Sequence, residues 1–260
     1  MKVDVYSLDG KATKKIDLPA AFDEEVREEI IKRAVLSEES AEYQPQGPFK
    51  FAGLETSAEY RGRKDDYGSL KNKGQAMLPR EVRPEGGWGK VRRIPSSVKG
   101  RRAHPPKPEA KREERMNKKE YRKAMRSALA ATANPELVKG RGHTYEGAVP
   151  LVAEDSLEAL AKTKEVLAFL KKLVGKDIER ARGSRKKRSG TRSRKAGVRG
   201  AKSVLMVVKG GKLLKAGRNI PGVDVVKADE LKVKMLAPGT HVGRLTIYTE
   251  GALRRVAEVW

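Results

Sequence analysis

The chain has no cysteine among its 260 residues. Disulfides and thiolate metal sites are thereby excluded, an absence that fits the cytosol. Histidine is nearly as scarce. His104, His143 and His241 stand far apart, without the His-x-x-x-His or His-Glu-x-x-His spacing of a zinc site, so no metal and no cofactor is expected. Aromatics make up 5% of the residues, too few for the bulky apolar anchors of a membrane-surface segment. No hydrophobic run is long enough to cross a bilayer, and nothing at Met1 reads as a signal peptide, so no membrane partner is expected. Acid is also in deficit, with 34 Asp and Glu against 58 Lys and Arg.

That deficit leaves a formal net charge of +24 and a pI near 10.1. Self-repulsion of this size opposes any compact state, so a standing polyanionic partner is expected. Basic residues recur along the whole length of an arm of about sixty-five residues, 44–108, that no compact domain needs. Within it lie Lys50, Arg61, Arg63, Lys64, Lys71, Lys73, Arg80, Arg83, Lys90, Arg92, Arg93, Lys99, Arg101, Arg102 and Lys107, interleaved with Gly and Pro. Basic residues outnumber acidic ones there by about two to one. Such a segment buries too little apolar surface to offset its chain entropy, so it should be mobile in isolation. Glycine lets the backbone approach RNA closely, and proline stiffens an extended path. Arginine adds a planar fork for phosphate and a face for unpaired bases. Trp88 is the candidate for base stacking, with Tyr60 and Tyr67 behind it. A second basic segment, 183–202, carries Arg185, Lys186, Lys187, Arg188, Arg192, Arg194, Lys195, Arg199 and Lys202 with no acid among them. Lying between a helix and a buried strand, it reads as a loop on a folded body that clamps a phosphate backbone.

Short β-branched runs at 3–6, 149–152, 204–208, 223–226 and 245–248 read as buried strands. Helical patterns fall between them. One starts at Asp23, and one follows a capping-box signature at Asn117 and Glu120. Another covers about 156–174 with Gly175 as its stop, and shorter ones are expected near 212–216, 228–236 and 251–259. From Val149 onward strand and helix alternate, which predicts an α/β fold: a mainly parallel sheet covered by helices in a single globular domain spanning 1–260. The extended basic arm is then a loop inserted in the N-terminal half.

Catalytic constellations do not survive inspection. Gly210-Gly211-Lys212 follows a strand but lacks the Walker spacing and reads as a turn. Gly86-Gly87-Trp88-Gly89 resembles a phosphate loop only in its glycines, and Pro95 disfavours a following helix. The paired carboxylates Glu24/Glu25, Glu28/Glu29 and Glu38/Glu39 read as a solvated helix face, or as an acidic patch for a basic neighbour. An enzyme on this sheet would need a pocket at the strand ends, with His143 and His241 the histidines to test.

Several stretches resemble the large-subunit ribosomal protein four family, of archaeal and eukaryotic type. They are Gly53-Leu54-Glu55-Thr56-Ser57-Ala58-Glu59, Arg93-Ile94-Pro95, Gly100-Arg101-Arg102-Ala103-His104-Pro105-Pro106-Lys107, Arg126-Ser127-Ala128-Leu129-Ala130-Ala131-Thr132-Ala133, Arg218-Asn219-Ile220-Pro221-Gly222-Val223-Asp224 and Leu236-Ala237-Pro238-Gly239-Thr240-His241-Val242-Gly243-Arg244-Leu245. The resemblance implies a structural component of the large ribosomal subunit in the cytoplasm, not an enzyme, bound to large-subunit rRNA beside neighbouring ribosomal proteins. It also implies an arm threading inward to the nascent-peptide exit tunnel. The tip then lies around 71–93, with Lys73, Arg80, Arg83 and Trp88 near tunnel RNA and the nascent peptide close by. The alternative on charge alone is an extra-ribosomal RNA-binding chaperone using the same arm.

Overall fold

A computed structural model describes residues 2–85, 87–188 and 197–260. In chain order the elements are β1 (Lys2–Tyr6), β2 (Ala12–Asp17), α1 (Glu28–Ala41), β3 (Arg80–Val82), β4 (Trp88–Val91), α2 (Lys118–Ala133), α3 (Pro135–Gly140), β5 (Leu151–Ala153), α4 (Thr163–Gly183), β6 (Lys186–Lys187), β7 (Val198–Arg199), β8 (Leu205–Val208), α5 (Leu213–Gly217), β9 (Asp224–Lys227), α6 (Val233–Leu236), β10 (Thr246–Thr249) and α7 (Glu250–Val259). The chain divides into two units, Met1–Glu42 with Glu113–Trp260, and Tyr43–Arg112.

The first unit is built on a six-stranded sheet in the order β2-β1-β5-β10-β8-β9. Every pairing is parallel except that of β1 with β2 at the edge. The short strands β5, β8 and β10 are buried along their whole length, as strands covered on both faces must be, and the edge strand β9 is buried at its central Val225 and Val226. Alternate residues supply two cores. Val152, Leu205, Val207, Val226 and Tyr248 pack with α1, α2, α6 and α7 on one face. Leu151, Met206, Val208, Val225 and Ile247 pack with α4 and α5 on the other. Each fully buried Leu, Ile or Val in such a core contributes about 1.5–3 kcal/mol. The small residues Ala124, Ala128 and Ala131 of α2 are all buried and bring that helix close to its neighbours.

The expected alternation from β5 to α7 is present, and three local expectations are corrected. The first helix begins at Glu28, because a 3-10 turn over Ala20–Phe22 ends at Asp23. Asn117 occupies the N-cap of α2, but its side chain makes no capping bond, and Glu120 pairs instead with Arg33 at 2.6 Å. Gly175 does not stop α4. The helix kinks at Val174 (φ −131°, ψ 32°) and continues to Gly183, while Leu157 belongs to a separate 3-10 turn, Asp155–Ala159. Strand β2 was not expected, since Ala-Thr-Lys-Lys-Ile-Asp is exposed along most of its length.

Where the chain returns to this unit it is fastened to the end of α1. Ser37 Oγ donates to Glu114 O (2.5 Å), and Ser40 Oγ accepts from Glu114 N–H (2.9 Å). The second unit is mostly turns. Its regular structure is the hairpin of β3 and β4, with Arg80 opposite Val91 and Val82 opposite Trp88. Among described residues no helix is long and apolar enough to cross a membrane.

Candidate nucleic-acid interface

In an open parallel sheet, ligands are bound outside the carboxyl ends of the strands. Here the protein's own carboxylates hold those positions. Glu158 accepts from Lys209 N–H (2.7 Å), Gly210 N–H (3.2 Å) and the Thr249 hydroxyl (2.6 Å). Asp155 accepts from Gly251 N–H (2.7 Å) at the start of α7. The Gly210-Gly211 segment is therefore a turn whose amides already have an anion. Gly211 has φ +91°, and a Cβ there would lie 2.5 Å from Glu158 O.

At the opposite, amino ends of the strands Asp177, His143, Ser203 and Arg244 form the buried part of a polar network. Asp177, 1% exposed, accepts from Ser203 Oγ (2.5 Å) and His143 Nδ1 (3.0 Å), and pairs with Arg180 (3.0 Å). The other ring nitrogen of His143 accepts Leu245 N–H at 3.3 Å, which fixes the tautomer and leaves the imidazole no free base. Burial alone would raise the Asp177 carboxyl, but the bonds from His143 and Ser203 and the Arg180 charge outweigh it and hold it below the ordinary carboxylate range. Arg244, equally buried, donates to Ser203 O (2.9 Å) and Met235 O (2.8 Å) and pairs with Asp224 at 2.6 Å. Asp224 is lowered too: burial opposes this, and Arg244 and Lys202 prevail. Sequence reasoning missed this network, since residues 143, 177, 203, 224 and 244 carry no common motif. His241 is exposed and lies outside it.

The cations expected to meet a polyanion lie elsewhere. In the unit Tyr43–Arg112 the side chains of Arg63, Lys64, Lys71, Lys73, Arg83, Lys90, Arg93, Lys99, Arg101, Arg102, His104 and Lys107 are exposed. Arg61, Arg80 and Arg92 are half-buried and work within the unit. Arg61 holds Tyr67 O (2.7 Å) and Glu59 (3.1 Å), Arg80 reaches Gln75 (3.3 Å), and Arg92 binds Glu81 (2.7 Å) and Val98 O. Arg93 and Lys99 turn the chain at φ of 70° and 60°, a strained conformation for residues with a Cβ. The Lys73 ammonium lies 6.0 Å from the Trp88 ring centre, and Trp88 is 39% exposed. Tyr43, Phe49, Phe51, Tyr60 and Tyr67 are more exposed still, whereas Ala58 and Leu70 are the apolar side chains this unit buries.

In the first unit the described ends of the segment 183–202 pair as a short antiparallel ribbon, with Lys186 opposite Arg199 and Lys187 opposite Val198. Arg185, Lys186, Lys187, Arg188 and Arg199 are all exposed. Ser184 Oγ closes its base by accepting from Ala201 N–H at 2.8 Å. Arg192, Arg194 and Lys195 lie outside the described residues.

The fold and its charges thus define an α/β body with filled strand ends and a coreless cationic insertion. Residues 16–259 match the profile of the Ribosomal protein L4/L1 family. The chain is 45% identical over 259 residues to Large ribosomal subunit protein uL4 of Methanoculleus marisnigri, covering 99% of both chains. It is 48% identical over 262 residues to the protein of that name from Methanocaldococcus jannaschii, and 44% over 264 to that of Archaeoglobus fulgidus, again over 99% of each chain. The chain belongs to the ribosomal protein L4/L1 family.

Proposed function

We propose that this protein is a structural component of the large ribosomal subunit, in the cytoplasm, that binds rRNA through its insertion and its basic ribbon. One observation carries the reading: the full-length likeness to large-subunit proteins falls on a chain whose insertion exposes its cations and aromatics and buries almost none of them. A coreless unit gains its order from a partner, and the outward cations select a polyanion. Exposed arginines and lysines supply sequence-blind affinity for phosphate, while Trp88 and the exposed tyrosines offer faces to unstacked bases.

The insertion reaches the nascent-peptide exit tunnel on this reading, with Lys73, Arg83 and Trp88 of the 71–93 region nearest the lumen and other large-subunit proteins around the body. The filled strand ends support an architectural role over a catalytic one, since the usual ligand crevice is taken up by Glu158 and Asp155. A photoreactive residue placed at position 83 or 88, in ribosomes stalled with a radiolabelled nascent chain, tests the arm. Crosslinks to the peptide are expected from these positions and not from position 186 on the ribbon. Crosslinks to RNA alone from all three positions contradict the tunnel assignment.

A further inference from the structure

An open cleft of about 570 Å³ lies on the body beside the amino ends of the strands, at the base of the basic ribbon. Its cationic walls are Arg141, Arg180 and Lys202. Arg141 donates to the carbonyls of Pro238 (2.8 Å) and His241, and among the described residues it has no carboxylate partner. Arg180 shares Asp177 with His143 and Ser203, and its Nε is buried with no hydrogen-bond partner. Lys202 shares Asp224 with Arg244 at 2.8 Å.

Four cations, Arg141, Arg180, Lys202 and Arg244, thus face two carboxylates, Asp177 and Asp224. Charge left unmatched in a partly buried cluster is costly unless an anion completes it. Burial and the charges of Arg244 and Arg180 push Arg141 down to about 10, so it remains a cation at neutral pH while lacking a counter-ion. Glu28 and Glu136 also line the cleft, but both are exposed, where water screens them, and neither pairs with a cation of the cluster among the described residues. The residue after Ala201 is Lys202 itself, so the ribbon's cations continue directly into the cleft wall.

We propose that this cleft takes one phosphate group of an RNA backbone, with Arg141 as its principal donor and Arg180 and Lys202 beside it. The inference rests on the RNA-binding reading above and assigns a specific site to the body, apart from the insertion. A phosphate here anchors one point of a strand beside the ribbon. The shared chemistry is a phosphate oxyanion, so free inorganic phosphate is the competing source.

The test uses the full-length protein and its Arg141→Gln and Arg141→Lys variants. Fluorescein-labelled oligouridylate is titrated across a salt series, and thermal melting is followed with and without inorganic phosphate. Loss of one phosphate contact is expected to lower the salt slope of Arg141→Gln by about 0.7, the value per phosphate on a single strand. Arg141→Lys, which keeps the charge, should retain the slope, and phosphate should raise the melting temperature of wild type more than that of Arg141→Gln. A variant that melts lower yet keeps both the slope and the phosphate increment makes the cluster merely structural and overturns the proposal. If wild type binds no RNA, the RNA reading of the whole chain falls. A phosphate increment that still depends on Arg141 would then mark a free-anion site, which overturns the assignment to RNA.

Discussion

Asp177 and Asp224 tie the amino ends of the central strands to α4 and to Arg244. Their lowered carboxyl values are statements about stability. A group whose folded value lies below its unfolded one contributes fully at pH above the unfolded value, about 3.9 for Asp, and loses that contribution as pH falls through the folded value. The urea midpoint should therefore hold from pH 7 to about 5 and drop steeply once the medium is more acidic than about pH 4. Asp177→Ala, which leaves Arg180 without its carboxylate, should cost roughly 3–5 kcal/mol at neutral pH and flatten the acid limb. An acid limb of equal depth in variant and wild type would assign the titration elsewhere. None of this was legible in the sequence. His143 looked like a stray histidine, and only the fold brings Asp177 and the Leu245 amide to its two ring nitrogens.

Elements were legible where burial is two-sided. The runs at 204–208 and 245–248 are buried on both faces, and they became β8 and β10. Strand β2 escaped because an exposed edge strand carries lysines where the pattern needs apolar residues. Helix α4 was cut short at Gly175 because glycine commonly ends helices. Here buried Val166, Phe169, Leu170, Val174, Asp177 and Ile178 lie on both sides of it, so tertiary packing overrides the local signal. A Cβ at Gly175 meets nothing within 4 Å. Gly175→Ala should accordingly stabilise the protein by about 0.4–1 kcal/mol in urea unfolding. Gly211→Ala, at positive φ and against Glu158 O, should destabilise it by roughly 1–3 kcal/mol. Equal and opposite results, with Gly175→Ala the harmful one, would mean the kink at Val174 depends on that glycine.

At the scale of the whole molecule, the apolar cores belong to one unit, while the other carries cations with no such core. Every residue of the two cores lies outside Tyr43–Arg112, so removing residues 61–102 takes nothing from either face of the sheet. The shortened protein should melt cooperatively with a midpoint close to that of wild type, as followed by circular dichroism. A broad, non-cooperative transition would show that the insertion supports the body. The composition of the insertion predicts that it adds no core of its own, whereas its β3–β4 hairpin was not legible, being four residues or fewer per strand. The likeness to large-subunit proteins and the outward cations converge on residence in a ribonucleoprotein particle. The most direct test is a sucrose-gradient profile of a cell lysate probed for this chain before and after ribonuclease treatment. Stoichiometric migration with the large subunit, lost when the RNA is digested, is the result predicted here. Persistence in the light fractions while the RNA is intact would contradict it.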